Sequence, residues 1–206
     1  ITVNGNVWKS KSITINPNNP NLIVSSPINI LKKVNGSSME GDINPNVENT
    51  CDEWEYEYSC ENVFFNINEN GIVSINANSV GSYEADILVT AINKTSGGTL
   101  VKTVHVIGDV ISCYNLKKSD NTPFEICPDE NGDININIES LGNTGLLTIP
   151  EGLVIKCRNF TLYDPNGTWG QRSYDTGIEC QGSIICLEDF NLTTLSYCQA
   201  RPYFTT

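Results

Sequence analysis

The sequence predicts an all-β protein, a disulfide-stapled β-sandwich of immunoglobulin-like or pilin-like type, on three observations. Apolar residues recur with period two along most of the 206 residues. No segment carries a sustained helical stripe. Repeated Asn, Gly and Pro punctuation cuts the chain into short runs, and eight cysteines are spread among them.

The opening residues alternate cleanly. Ile1, Val3, Gly5 and Val7 share one face, while Thr2, Asn4, Asn6 and Trp8 share the other. Strand-like sequence continues to Ile15, so residues 1–15 form an N-terminal segment. Residues 16–21, Asn-Pro-Asn-Asn-Pro-Asn, contain two prolines and no apolar residue, and read as a stiff spacer. Residues 22–206 form a β-rich head, with a subdomain boundary near residues 108–112. Within the head, Ser25–Lys33 admits a short helix, weakened by Pro27 and β-branched residues. Glu53, Glu55 and Glu57 alternate with Trp54, Tyr56 and Tyr58, which puts acids and aromatics on opposite strand faces. The run Val63, Phe65, Ile67 leads into Asn70-Gly71 and resumes at Ile72–Ile75, a hairpin signal. Ala85–Ile92 and Leu100–Ile107 predict two strands joined across Asn93–Thr99. Ile134, Ile136 and Ile138 alternate with polar residues. Leu146–Ile149, Leu153–Cys157, Phe160–Tyr163 and Ser183–Leu187 add short strands.

Charge and hydropathy narrow the partners. Against 24 Asp+Glu stand only 12 Lys+Arg, a net charge of −12. Such a surface repels phosphate, so nucleic acid is not an expected partner. No apolar run approaches the ~20 residues of a membrane-crossing helix. Polarity comes mainly from Asn, Thr and Ser. At about pH 2–3 most carboxylates would be neutral, leaving few charges to repel one another.

The cysteines are Cys51, Cys60, Cys113, Cys127, Cys157, Cys180, Cys186 and Cys198. An even number in a polar chain points to disulfides in an oxidising compartment. Zinc is not expected, because structural zinc sites want thiolates two to four residues apart and no C-x-x-C occurs. Sequence leaves the connectivity open; pairing of neighbours, Cys51–Cys60, Cys113–Cys127, Cys157–Cys180 and Cys186–Cys198, is the working expectation. The start at Ile1 fits a leader removed during export. Sequons at Asn35, Asn93, Asn159, Asn166 and Asn191 predict N-linked glycans and no other cofactor. The expected location is extracellular.

Catalytic patterns are weak, and the chain is not expected to be an enzyme. His105 is the single histidine and lies among strand valines. Glu53, Glu55 and Glu57 share a face that solvation explains better than a glycosidase pair. Asp129–Asp133 departs from a calcium loop, with Gly132 at the fourth position instead of the sixth, and reads as a turn. Lys102 shares a face with Leu100 and Val104. It is a candidate for an isopeptide cross-link, though a snorkelling lysine explains it better.

The N-terminal segment carries the functional reading. An amphipathic strand beyond a stiff spacer can complete the sheet of a neighbouring molecule, backbone bonds giving affinity and Ile1, Val3 and Val7 filling pockets. Gly5 suits a close backbone approach, and Trp8 closes the segment. Each buried Val would contribute ~1.5–3 kcal/mol. This arm, the β-rich body, the cysteines and the scattered sequons together resemble the subunit of archaeal threads, surface filaments of Sulfolobus-type thermoacidophiles. The resemblance spans the chain without a short diagnostic motif. It implies a glycosylated extracellular filament of identical subunits joined head-to-tail by donor strand complementation. The alternative is a secreted carbohydrate-binding or S-layer-associated sandwich module, with a secreted glycan hydrolase third.

Overall fold

The computed structural model describes residues 19–118, 120–141, 146–163 and 177–193, together with the backbone of Thr2–Val3 and Asn6–Val7. It is all-β: twenty strands and a single 3-10 turn, Ile138–Leu141, among the described residues. The first two strands, β1 (Thr2–Val3) and β2 (Asn6–Val7), pair antiparallel with each other.

Residues 21–111 form a β-sandwich. One sheet runs β4 (Ile28–Lys33), β11 (Thr99–Ile111), β10 (Gly81–Asn93), β7 (Trp54–Ser59) in spatial order. Opposite it lie β3 (Asn21–Ile23) with β6 (Asn46–Glu48), and β5 (Gly41–Asp42) with β9 (Ile72–Ile75) and β8 (Phe65–Ile67). The two-residue alternation aims Ile28, Ile30, Phe65, Val73, Ile87, Val89 and Val104 into one core. The predicted hairpin over 85–107 is observed and is longer, pairing Gly81 with Val110 through to Ile92 with Thr99. The Asn70-Gly71 hairpin also forms, but with a longer loop than a two-residue turn. Only Gly71 adopts positive φ there, at 79°. The Asn68 side chain holds the loop by accepting from Asn70 N and Ile72 N. Ser25–Lys33 is not helical. Ile28–Lys33 instead runs parallel to β11, because Ile28 and Ile30 fill the core and Leu31 is buried on the other face.

The C-terminal half winds differently. β12 (Tyr114–Lys118) and β13 (Pro123–Ile126) form a hairpin, and β12 pairs antiparallel with β15 (Leu146–Ile149). From there the chain coils in parallel. β15 pairs with β18 (Gly177–Cys180), and β16 (Val154–Cys157) with β19 (Ser183–Cys186). β14 (Ile134–Asn137) pairs with β17 (Phe160–Tyr163), and β17 with β20 (Phe190–Thr193). Each partner lies one turn of about 30 residues away, the signature of a solenoid. The result is a short three-faced parallel coil. Leu147, Ile149, Ile155, Cys157, Phe160 and Leu162 fill its interior. The next turn stacks on them, Phe190 over Phe160 with ring centroids 5.3 Å apart.

One corner of the coil repeats in sequence. Asp133, Asn159 and Asp189 each precede a third-face strand, and they form a ladder. Asn159 Nδ2 donates to Asp133 Oδ1 at 3.0 Å, and Asn159 Oδ1 accepts from Asp189 N at 2.9 Å. Arg158 clamps Asp133 with two bonds, from Nε and Nη2. That guanidinium, ahead of the other contacts, holds the Asp133 carboxyl below its ordinary value.

Two contacts join the halves, and a third braces the C-terminal side of the junction. Gly132, at φ 80°, lies where a Cβ would strike Leu31 of β4. Lys156 Nζ meets Asp109 Oδ1 at 2.5 Å, with both side chains mostly shielded. Tyr114, which follows the junction at 112–113, donates to Lys156 O and accepts from Lys156 N, at 3.0 and 2.8 Å. Its phenol is pushed above the usual tyrosine range, first by burial.

The Asp133–Arg158 clamp sets a pH dependence. The folded carboxyl titrates below its ordinary value of 3.8, so its contribution is complete above that value and is lost as pH falls through the lower folded one. Asp133→Asn is expected to destabilise the protein by about 1–3 kcal/mol at pH 7. In calorimetric scans the gap to wild type should narrow as pH falls below 3.8. An unchanged gap across that range would contradict the clamp.

Candidate functional site

The predicted arm is reached first through its backbone. Thr2 pairs with Val7 and Val3 with Asn6, so in the single chain the segment is a small hairpin instead of one continuous strand. Neither strand joins a sheet of the head. A strand with no partner beside it satisfies its amide and carbonyl groups by folding on itself. Ile1, Gly5 and Trp8 lie outside the described residues. Of the spacer, Asn19 and Pro20 are exposed and Asn21 already begins β3.

The head offers an unpaired edge. Among the described residues β7 is terminal in its sheet, hydrogen-bonded to β10 along one side. Its pattern is as expected from sequence: Glu53, Glu55 and Glu57 are exposed, while Trp54, Tyr56 and Tyr58 are half-buried against the sandwich core. The indole N–H of Trp54 is buried and has no acceptor among the described residues. An unsatisfied buried donor of this kind costs about 1–3 kcal/mol.

The sequons fall into two environments. Asn35 is exposed in the turn after β4, at φ 59°, and Asn191 is exposed on β20. Asn93 is only 4% exposed. Its Nδ2 donates to Asp52 at 2.8 Å, and its Oδ1 caps the β10–β11 loop by accepting from Thr95 N and Ser96 N. Asn159 is the middle member of the corner ladder, its Nδ2 shared between Asp133 and Glu188. Asn166 lies outside the described residues. The tripeptide motif signals none of these differences.

Among the described residues one of the expected neighbour pairs is formed. Cys113–Cys127 is formed, with an S–S distance of 2.05 Å. These residues flank Tyr114 and Ile126, the last register pair of the β12–β13 hairpin, which brings their Cα atoms together. Cys51 and Cys60 are both free. The extended β7 runs between them, and six strand residues span roughly 17 Å, whereas a disulfide wants Cα atoms about 4.4–6.8 Å apart. Cys157 and Cys180 are not joined either, because they lie on different faces of the coil. Cys186 instead sits beside Cys157, with sulfurs 3.7 Å apart. Cys198, the expected partner of Cys186, lies outside the described residues.

The remaining candidates resolve into ordinary contacts. His105 Nδ1 pairs with Asp86 Oδ1 at 2.9 Å on the surface of the β10–β11 hairpin. Lys102 is exposed, and its amine donates to Leu22 O at 3.3 Å, so it is not set for an isopeptide bond. Asp129 Oδ1 accepts from Asn131 N and Asp133 N, closing a turn in which Asp133 is already committed to Arg158. Cys113, Cys127 and Glu125 lie close enough together to suggest a metal site, but the two sulfurs are bonded to each other. The disulfide is a mark of an oxidising, extracellular setting. No helix among the described residues is long and apolar enough to cross a membrane.

No known family model matches the chain, and no curated protein does. Among solved structures it is similar to Drosophila N-cadherin EC1-4, at 17% identity and a TM-score of 0.31. The match covers 64% of this chain and 31% of that one, so the chain spans about a third of that structure's length. At so low a score the similarity carries no argument about function.

Proposed function

We propose that the chain is the repeating subunit of an extracellular, glycosylated filament of the archaeal-thread kind, each copy lending its N-terminal arm to the sheet of the next. The observation that supports this reading best is the arm itself. Its strands pair only with each other, while the head leaves β7 with a free edge. An added strand there would extend the sheet β4-β11-β10-β7 by one. Lys9 and Lys11, next along the arm, complement Glu53, Glu55 and Glu57 of β7. Donation from copy to copy is heterologous, so it propagates unless a rotation closes a ring.

A sugar-binding module is the competing class. It would rest on Trp54, Tyr56 and Tyr58, and their packing on the core leaves them poorly placed as an open platform. Residues 1–8 separate the readings: their removal abolishes a polymer but leaves a binding module its ligand.

Val3→Asp is expected to abolish assembly, read as loss of pelletable polymer in sedimentation, while the monomer keeps its fold by circular dichroism. Normal polymer from this variant would contradict the reading. Glycopeptide mass spectrometry of native material should find sugar on Asn35 and Asn191 and bare Asn93 and Asn159. A glycan on Asn93 in folded protein would overturn that assignment, because the nitrogen it needs is buried and bonded to Asp52.

A further inference from the structure

Cys157 and Cys186 occupy equivalent positions on successive turns of the coil. β16 and β19 run parallel in register, and Cys157 is the direct partner of Cys186. Both side chains point into the coil's core, where Cys157 is fully buried and Cys186 is half-buried. Their sulfurs are 3.7 Å apart and not joined. Adjacent strands hold paired Cα atoms about 4.8 Å apart, inside the ~4.4–6.8 Å range that a disulfide accepts. The register therefore already brings the two side chains together, with the sulfurs at a separation that rotation of the side chains can close.

We propose that Cys157–Cys186 is a disulfide of the mature protein, a covalent staple from one turn of the coil to the next. No other sulfur competes for Cys157 among the described residues. Cys180 is in register with Ile149 on another face, and Cys113 and Cys127 are bonded to each other. The staple acts where the coil is weakest. The inner residues of the earlier turn are fully buried, whereas Ile178, Ile184 and Cys186 of the last turn are only half-buried and Phe190 is 40% exposed. A parallel coil is held by contacts between successive turns, and the turn of β18–β20 is the last among the described residues. A covalent tie there limits its fraying.

The chemistry is thiol–disulfide exchange with a carrier disulfide of the oxidising compartment, either a small-molecule disulfide or an oxidised dithiol protein. The more accessible Cys186 thiolate attacks one carrier sulfur, forming a mixed disulfide and releasing the first carrier thiol. The Cys157 thiolate then attacks the Cys186 sulfur and displaces the second. Two protein thiols lose two electrons and two protons, and the carrier disulfide gains them as two thiols. Burial, ahead of the neighbouring Cys186, pushes the Cys157 thiol far up from its ordinary value. Exchange at Cys157 is therefore faster before the core closes than after.

The test uses the full chain, refolded with oxidised glutathione as the carrier. The protein is denatured without reductant and its free thiols blocked with a light alkylating agent. It is then reduced, labelled with the heavy form and mapped by mass spectrometry. Cys157 and Cys186 should both carry the heavy label. In Cys157→Ala, Cys186 should be a free thiol or a glutathione mixed disulfide in the unreduced peptide map, joined to no other cysteine, while Cys113 and Cys127 stay heavy. In Cys180→Ala, Cys157 should remain heavy. Light label on Cys157 and Cys186 in the wild type would overturn the proposal, as would Cys157→Ala releasing Cys180 instead of Cys186. Should Cys157→Ala fail to fold, the wild-type and Cys180→Ala maps still decide.

Discussion

Every strand leaves a row of amide and carbonyl groups along each side, and a chain without helices must find partners for them laterally. Both halves of this protein are answers to that constraint. Residues 21–111 answer with hairpins and two facing sheets, whose interior is the sandwich core. Residues 112–193 answer with a parallel coil, in which each short strand takes its partner from the preceding turn. The junction obeys the same accounting. Tyr114 spends its one hydroxyl on both backbone groups of Lys156, and Asp109 neutralises the lysine that reaches across. Among the described residues, β7 is an edge strand of its sheet, and the strands of the arm pair with each other.

The sandwich was largely legible from residue order. Its strands are long enough for the period-two pattern to be counted, and the acid–aromatic alternation of residues 53–58 maps directly onto exposed and half-buried faces. The Asn93–Thr99 connection and the Asn70-Gly71 turn were visible through loop chemistry. Ser25–Lys33 was ambiguous because its apolar residues serve two faces, Ile30 the sandwich core and Leu31 the junction. The coil was legible only as scattered short strands. Four-residue strands carry two inward side chains each, too few to separate parallel from antiparallel pairing. Its one repeated corner, Asp133, Asn159 and Asp189, varies in residue type, and connections of unequal length blur its period.

The candidate sites show the same division between composition and register. Eight cysteines announce disulfides, but partners are chosen by which strands lie side by side. A hairpin end joins Cys113 to Cys127, an extended strand keeps Cys51 from Cys60, and a turn of the coil sets Cys186 on Cys157. Sequons mark Asn residues by their neighbours two positions on. Whether the side-chain nitrogen is free depends on bonds to residues distant in sequence, as with Asp52 for Asn93 and Asp133 for Asn159. The arm is the opposite case. Its alternation is plain in sequence, yet in the single chain its two strands pair with each other.

The proposed function sets the arm of one copy against the β7 edge of the next. That makes assembly the central claim. Electron microscopy of native material from the cell surface tests it most directly. The account predicts continuous strings one subunit wide, with density from each head reaching the next through a single thin strand. Discrete particles, or strings whose heads touch without a shared strand, would contradict it.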